Sequence, residues 1–403
     1  MIHNEFIAKI EGHGSLNMNW KEKKVQLNVF EGERLFEGML VNRTAEEMHW
    51  ITPRICGVCP TAHNLASLFA LEDALGIKPN KTTILLRDLM QCGQMIQSHV
   101  LHLFFLSLPD YLGIDRGTEL AKKNPEVFNH ALALKDVSDK IVKLIGGRIV
   151  HPVTTTIGGF HKVPSKSVLI ALLKNLEKTE LSAKKTIELA NSLDYPKLKV
   201  DLELVAQENN SIISVSSINI KGRKKSSIRN YKNDIEEEIK DYSTAKFAKY
   251  KGQEMFVGSL ARLAVNGYSD WKYQIDFKNP FHNNIAQAIE ILNYHKKAQD
   301  IINELLKGKI ETKISKPSNN PPLNGIGFTE APRGGLYHEV TLNKKGIITY
   351  ANIITPTVQN LMSIEKSAQA LLEQTKNRSQ EEMERLLVML VRAYDPCITC
   401  AVH

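Results

Sequence analysis

The chain has 403 residues, a formal charge of +8 and a pI near 9.0, which allows one large domain or roughly two to three ordinary ones. Hydrophobic residues at 42% and charged residues at 24% exclude a disordered or fibrous chain. Aromatics at 7%, without a basic–aromatic ladder, argue against a single-strand nucleic-acid binder, so the positive charge reads as general surface with no nucleic-acid partner.

In chain order, Phe6 to Leu35 alternates as short strands do, for example over Lys24-Val25-Gln26-Leu27-Asn28-Val29. Met1-Ile2-His3-Asn4-Glu5 has neither the basic nor the apolar part of a secretion signal, so a cytoplasmic location is expected. After Pro60 the pattern turns helical: Ala62–Leu75 stops at Gly76, and Thr82–Leu108 stops at Pro109. The apolar run Met95–Leu108 is interrupted by Gln97, Ser98, His99 and His102, which excludes a membrane span. Ala131–Ile145 and Ser165–Leu193 predict further helices, the second Lys-rich on one face. Leu202–Ile220 alternates as strands, and Lys221-Gly222-Arg223-Lys224-Lys225-Ser226-Ser227 reads as a solvated basic loop.

Asn284–Leu306 is a long helix, Lys313–Leu323 a Pro-rich wrapping loop, and Leu336–Ile354 a hairpin turning near Asn343–Gly346. Helices near Gln359–Gln374 and Ser379–Tyr394 complete a helix-dominated α+β chain. We expect a single domain over 1–403. Residues 1–60 form its strand-rich start, 61–310 a helical core with an insert near 200–233, and 311–403 the loop, hairpin and last helices.

Four of the five cysteines form two pairs at opposite ends, Cys56-Gly57-Val58-Cys59 and Cys397-Ile398-Thr399-Cys400. Such clustering does not suit a secreted disulfide scaffold. Alone, the first pair fits a redox dithiol, half a zinc site or an iron–sulfur ligand run. A zinc knuckle brings its second pair within a few tens of residues, and a thioredoxin motif needs a compact fold of about one hundred. A buried four-thiolate site, closed only by the complete fold, is the expectation, with structural zinc its rival.

The surroundings of the pairs go further. Arg54-Ile55-Cys56-Gly57-Val58-Cys59 with His63, and Asp395-Pro396-Cys397 with Cys400 and His403, closely resemble the two signatures of nickel–iron hydrogenase large subunits. Ile10-Glu11-Gly12-His13-Gly14, Arg34-Leu35-Phe36-Glu37, Glu330-Ala331-Pro332-Arg333-Gly334 and Ile354-Thr355-Pro356-Thr357 extend the resemblance over nearly the whole chain. Gln97-Ser98-His99, Asn279-Pro280-Phe281 and Arg392-Ala393-Tyr394 look most like the cytoplasmic bidirectional, NAD(P)-coupled (sulfhydrogenase-type) branch. Methanogen hydrogenases coupled to deazaflavin or heterodisulfide reductase share several of these stretches and stand as the alternative.

The resemblance implies a NiFe(CN)2(CO) centre on Cys56, Cys59, Cys397 and Cys400, with Cys59 and Cys400 bridging to iron. Heterolytic cleavage of hydrogen needs a metal and a nearby base, and the resemblance assigns the relay to Cys397 and Glu11. It sets Arg333 above the open side of the metals, Pro332 against the diatomic ligands, Thr357 as a hydroxyl donor to a cyanide, and His63 beside a bridging thiolate. Glu37, His403 and the Ile353 carbonyl match the ligands of a buried Mg2+ (or Fe2+). Ser98 falls where uptake hydrogenases carry a canopy aspartate, while Asp395 is retained. His151 resembles a position at the contact with the small subunit.

Implied partners are an iron–sulfur small subunit, flavin/iron–sulfur reductase subunits, maturation proteins and a C-terminal protease, since a chain ending at His403 looks like a mature form. His102 and Cys92 read as core packing. A zinc-stabilised structural protein and a quinone-docking subunit without the thiols are the rivals from other classes.

Overall fold

The computed structural model describes residues 2–267, 273–375 and 378–403. Pro60 starts the helix Pro60–Leu75, where its missing N–H forfeits no bond, and Gly76 ends it at φ +61, a conformation glycine adopts without strain. Asn80 caps the next helix, Lys81–Leu101, by accepting a bond from Thr83 N at 2.8 Å. This helix does not run to Leu108. Its backbone widens into a π-helical stretch, His102–Ser107, and Pro109 sits in the first turn of a further helix, Leu108–Leu112. Proline is tolerated in a first turn, so it marks a start here and not a stop.

The predicted helical core is present as Pro125–Gly146, Lys166–Ser192 and Asn283–Lys307, packed with Lys81–Leu101. Leu89, Val137, Ile141, Leu172, Leu176 and Ile302 fill the space between them. Cys92 is buried among these residues, and burial pushes its thiol up to about 12, as a packing role requires. Among the described residues no helix is long and apolar enough to cross a membrane.

The N-terminal strands are Gly14–Asn19 and Lys24–Val29, joined on the outer edge by Ile2–Phe6. The basic stretch corrects the loop reading: Lys224–Ser227 pairs antiparallel with Ser211–Ser214 as the last strand of a four-stranded sheet. Edge lysines are a common way to discourage further pairing. Ile235–Lys240 and Ser243–Tyr250 form a two-stranded ribbon.

The predicted hairpin is present as Gly334–Leu342 and Ile348–Ile354, with a third antiparallel strand, Asn324–Ala331, ahead of it. That strand lies directly on the Pro60–Leu75 helix because it has no side chains at two inward positions. A Cβ at Gly325 would stand 2.1 Å from the Ala70 carbonyl oxygen, and one at Gly327 would stand 2.0 Å from that of Ala66. Gly327→Ala is therefore expected to cost about 3 kcal/mol, since neither backbone can yield alone. Gly32, with nothing within 4 Å of its Cβ position, is the control. Equal denaturation midpoints for Gly327→Ala and Gly32→Ala would refute the close-approach argument.

Candidate metal centre

The first thiol pair sits at a change of backbone shape. Cys56 follows the 3-10 turn Thr52–Ile55 in extended conformation, and Cys59 immediately precedes the Pro60 helix. At the far end of the chain, Cys397 is the N-cap of a short helix, Ile398–Ala401, and Cys400 lies within it. The two meet: Cys56 Sγ lies 3.2 Å from Cys397 Sγ, Cys59 Sγ 3.2 Å from Cys400 Sγ, and Cys397 Sγ 2.9 Å from Cys400 Sγ. These separations are too long for a disulfide, and all four cysteines are free and buried. The four sulfurs lie within 4.8 Å of one another, the one such group of potential metal ligands found among the described residues.

Burial pushes the Cys397 and Cys400 thiols well above the ordinary thiol range, while bonds from Cys397, Cys400 and Cys59 hold Cys56 well below it. Four buried thiolates without a cation would repel one another severely, so this donor set fits a soft metal.

Several contacts seat the second pair against the first. Glu11 and Cys397 form a parallel bridge, with Ile398 N donating to Glu11 O at 2.9 Å. The Glu11 carboxyl accepts from Thr399 N at 3.1 Å and from the Cys397 thiol at 3.0 Å. Burial raises this carboxyl above the usual carboxylate range. Arg34 Nη2 donates to the Ile55 carbonyl at 2.7 Å and also to the Thr399 carbonyl, tying one pair to the other. Thr357 Oγ1 accepts from Cys397 N at 2.9 Å, leaving its own proton for another partner.

His63, in the first turn of its helix, has Nε2 3.7 Å from Cys400 Sγ and Nδ1 3.3 Å from Nε2 of His338. Burial pulls His63 down to about 3 and holds His338 well below the usual imidazole range, which favours neutral rings. His338 escaped the sequence reading. Its signal was one imidazole at an inward position of an otherwise largely apolar strand.

Arg333 occupies the two-residue turn between Asn324–Ala331 and Gly334–Leu342, where Ala331 faces Gly334. Its Nε donates to the Asp395 carbonyl at 2.7 Å, Nη2 to Asp395 Oδ1 at 2.7 Å, and Nη1 to Ser98 Oγ at 3.2 Å. Burial opposes the guanidinium charge, but Asp395 and the thiolates outweigh it. Asp395 stands at φ +52, a left-handed conformation that Asp accepts more readily than most residues. Pro332 shares the turn, and its carbonyl accepts from Arg262 Nη2 at 2.9 Å.

His102 was read as packing, yet it carries polar contacts on both nitrogens. Nδ1 lies 2.5 Å from Gln287 Oε1 and Nε2 2.7 Å from the Arg392 carbonyl, and Gln287 Nε2 donates to Asp395 Oδ2 at 3.1 Å.

Beyond the thiols, His403 Nε2 faces the Ile353 carbonyl at 2.8 Å, and Nδ1 faces the Cys400 carbonyl at 2.8 Å. Glu37 Oε1 accepts from Ile353 N at 2.6 Å and from Asn352 Nδ2 at 3.2 Å. Both ring nitrogens of His403 therefore face carbonyl oxygens. His151 is half-buried at φ +56, with Nδ1 3.1 Å from the Pro53 carbonyl.

Residues 34–130 and 199–403 match the family model described as nickel-dependent hydrogenase. The chain is 34% identical over 420 residues to sulfhydrogenase 1 subunit alpha of Pyrococcus furiosus, covering 99% of this chain and 97% of that protein. It is 27% identical over 463 residues to the NAD-reducing hydrogenase HoxS subunit beta of Cupriavidus necator, covering 98% and 93%. Its fold overlays a chain of the NAD+-reducing [NiFe]-hydrogenase, solved in the hydrogen-reduced state, with a TM-score of 0.85 at 23% identity over 99% and 98% of the two chains. The family match takes in both cysteine pairs, and the buried four-thiol cluster is the ligand set such a match requires. The chain belongs to the nickel-dependent hydrogenase family, as one of its large subunits, and is an oxidoreductase acting on hydrogen.

Proposed function

We propose that residues 1–403 form a single catalytic domain that holds a NiFe(CN)2(CO) centre on Cys56, Cys59, Cys397 and Cys400 and works in the cytoplasm. In this reading Cys59 and Cys400 would hold iron as well as nickel, and the His63 imidazole beside Cys400 supports it. When bound, the metals supply the redox-active Lewis acid at which hydrogen is cleaved heterolytically. The protein supplies the rest. Glu11 takes the proton from the Cys397 sulfur, across the 3.0 Å contact that is the observation carrying this reading.

Arg333, held by Asp395 and Ser98, presents a fixed positive charge and N–H donors above the metals. Pro332 would pack against the diatomic ligands, and Thr357, whose Oγ1 accepts from Cys397 N, would offer its remaining proton to a cyanide. Glu37, His403 and the Ile353 carbonyl hold Mg2+ (or Fe2+). The His403 Nε2 and the Ile353 carbonyl oxygen, 2.8 Å apart, would both be ligands to a hard cation there.

The electrons need an exit. Four of the five cysteines are in the cluster and Cys92 is isolated in the core, so this chain has no thiols for a relay of its own. An iron–sulfur small subunit is the required partner, docked where His151 rests on the Pro53 carbonyl beside the first cysteine pair. The match to the beta subunit of an NAD-reducing hydrogenase supports NAD(P) as the next carrier, reached through flavin/iron–sulfur reductase subunits, over deazaflavin or heterodisulfide reductase. Maturation proteins install the diatomic ligands, and a C-terminal protease acts on the precursor.

The test is metal analysis and infrared spectroscopy of the native complex. Nickel and iron near one each per chain, with carbonyl and cyanide bands, are expected. Zinc without those bands would replace this reading with a structural tetrathiolate.

A further inference from the structure

Behind the Pro332–Arg333 turn lies a second buried arginine that the proposed chemistry does not use. Arg262, on the helix Ser259–Asn266, is 2% exposed. Its Nε and Nη2 grip Glu290 Oε1 and Oε2 at 2.6 and 2.7 Å. Nη1 donates to Glu330 Oε2 and to the Ala331 carbonyl, each at 2.9 Å. Nη2 also donates to the Pro332 carbonyl at 2.9 Å and to Ser259 Oγ at 3.2 Å.

The two carbonyls immediately before Arg333 are thus fixed to one guanidinium. The residue after it, Gly334, is fixed as well: at φ +133, a Cβ there would meet Val257 at 2.4 Å. Val257 and Gly258 lead directly into the Arg262 helix, so the turn rests on the start of the element that grips it.

The same pair reaches the other side of the canopy. Glu290 Oε2 lies 2.9 Å from His99 Nε2. His99 is the neighbour of Ser98, the residue that meets Arg333 Nη1 in front. One buried ion pair therefore holds, from behind, both the turn and the helix whose side chains, Arg333 and Ser98, meet at 3.2 Å.

We propose that Arg262, backed by Glu290, is the positioning residue for Arg333 and sets the height of its guanidinium over the metal centre. This rests on the reading of Arg333 as the donor above the metals. The bland alternative is that Arg262 only neutralises buried glutamates. The two differ in what a lysine does: it keeps the charge but cannot reach the five acceptor groups in a planar fork.

The experiment compares Arg262→Lys, Arg333→Lys and the double variant in the purified complex, reading metal content, cyanide infrared bands and turnover. Arg262→Lys is expected to keep nickel and iron, to move the cyanide bands in the sense that Arg333→Lys does, and to lower turnover roughly 10- to 100-fold. The double variant is expected to be no worse than Arg333→Lys alone, within about twofold, because both act through one guanidinium. Unmoved bands in metal-loaded Arg262→Lys, or losses that multiply in full in the double variant, overturn the proposal.

If Arg262→Lys does not load metal, Glu290→Gln decides. It leaves the guanidinium on the turn but loosens its backing, so shifted bands support the proposal and unshifted bands overturn it. An Arg333→Lys variant with wild-type bands and turnover would instead remove the Arg333 reading, and this inference with it.

Discussion

Glu11→Gln is expected to retain nickel and iron and to lose hydrogen turnover by about 10²- to 10⁴-fold. The substitution is close to isosteric. A glutamine oxygen can still accept from Thr399 N, and the Ile398 N bond to the Glu11 carbonyl is unaffected, so the second cysteine pair stays seated. What disappears is the base 3.0 Å from the Cys397 sulfur. The pH profile checks the assignment independently. A base works only when deprotonated, and burial raises this carboxyl, so the acid limb of the wild-type profile lies at higher pH than a surface glutamate would give. Glu11→Gln should abolish that limb along with the rate. Wild-type turnover in a fully metal-loaded variant would take Glu11 out of the proton path.

Arg333→Lys carries the second large effect, a fall in kcat of about 10²- to 10³-fold with the metals retained. An ammonium has the charge but not the planar fork that meets the Asp395 carbonyl, Asp395 Oδ1 and Ser98 Oγ together. Asp395 is 2% exposed, and weakening its partner leaves a buried carboxylate poorly compensated next to the thiolates. Steady-state kinetics on the complex, with the hydrogen KM measured separately, distinguishes this from poorer substrate access. A change in KM alone would contradict an electrostatic role.

The thiol pairs were legible because their spacing is rigid, and the helix carrying His63 because Pro60 and Gly76 mark both its ends. Proline was also the source of the clearest error: Pro109 fits a first turn as well as a stop, and nothing in the sequence announces the π-helical stretch before it. The strand Asn324–Ala331 was missed because Gly325 and Gly327 look like loop residues. They are glycine because a helix backbone lies against them.

Ile235–Lys240 and Ser243–Tyr250 carry charges that mask alternation. Those charges pair across the ribbon, as between Lys249 and Glu238 at 2.7 Å. The Arg262–Glu290 pair leaves no trace in the sequence, since its partners are carbonyls and carboxylates brought together only by folding. At the site, the sequence reading tied the tail to the rest of the chain through His403, Glu37 and the Ile353 carbonyl as ligands of one ion. The structure adds the Glu11–Ile398 backbone bond and Arg34, which bind the same tail to the N-terminal segment.

Each close sulfur contact across the two pairs joins residues 341 positions apart. Separating them requires the C-terminal tail to leave its seat, which breaks the backbone bond at Glu11 and the Arg34 contacts as well. Escape of ions held there would then be coupled to release of the C-terminal tail, and their residence time would become a clock for that opening. A chelator added in excess would report that clock. It would extract metal at a rate set by the protein, independent of how much chelator is present.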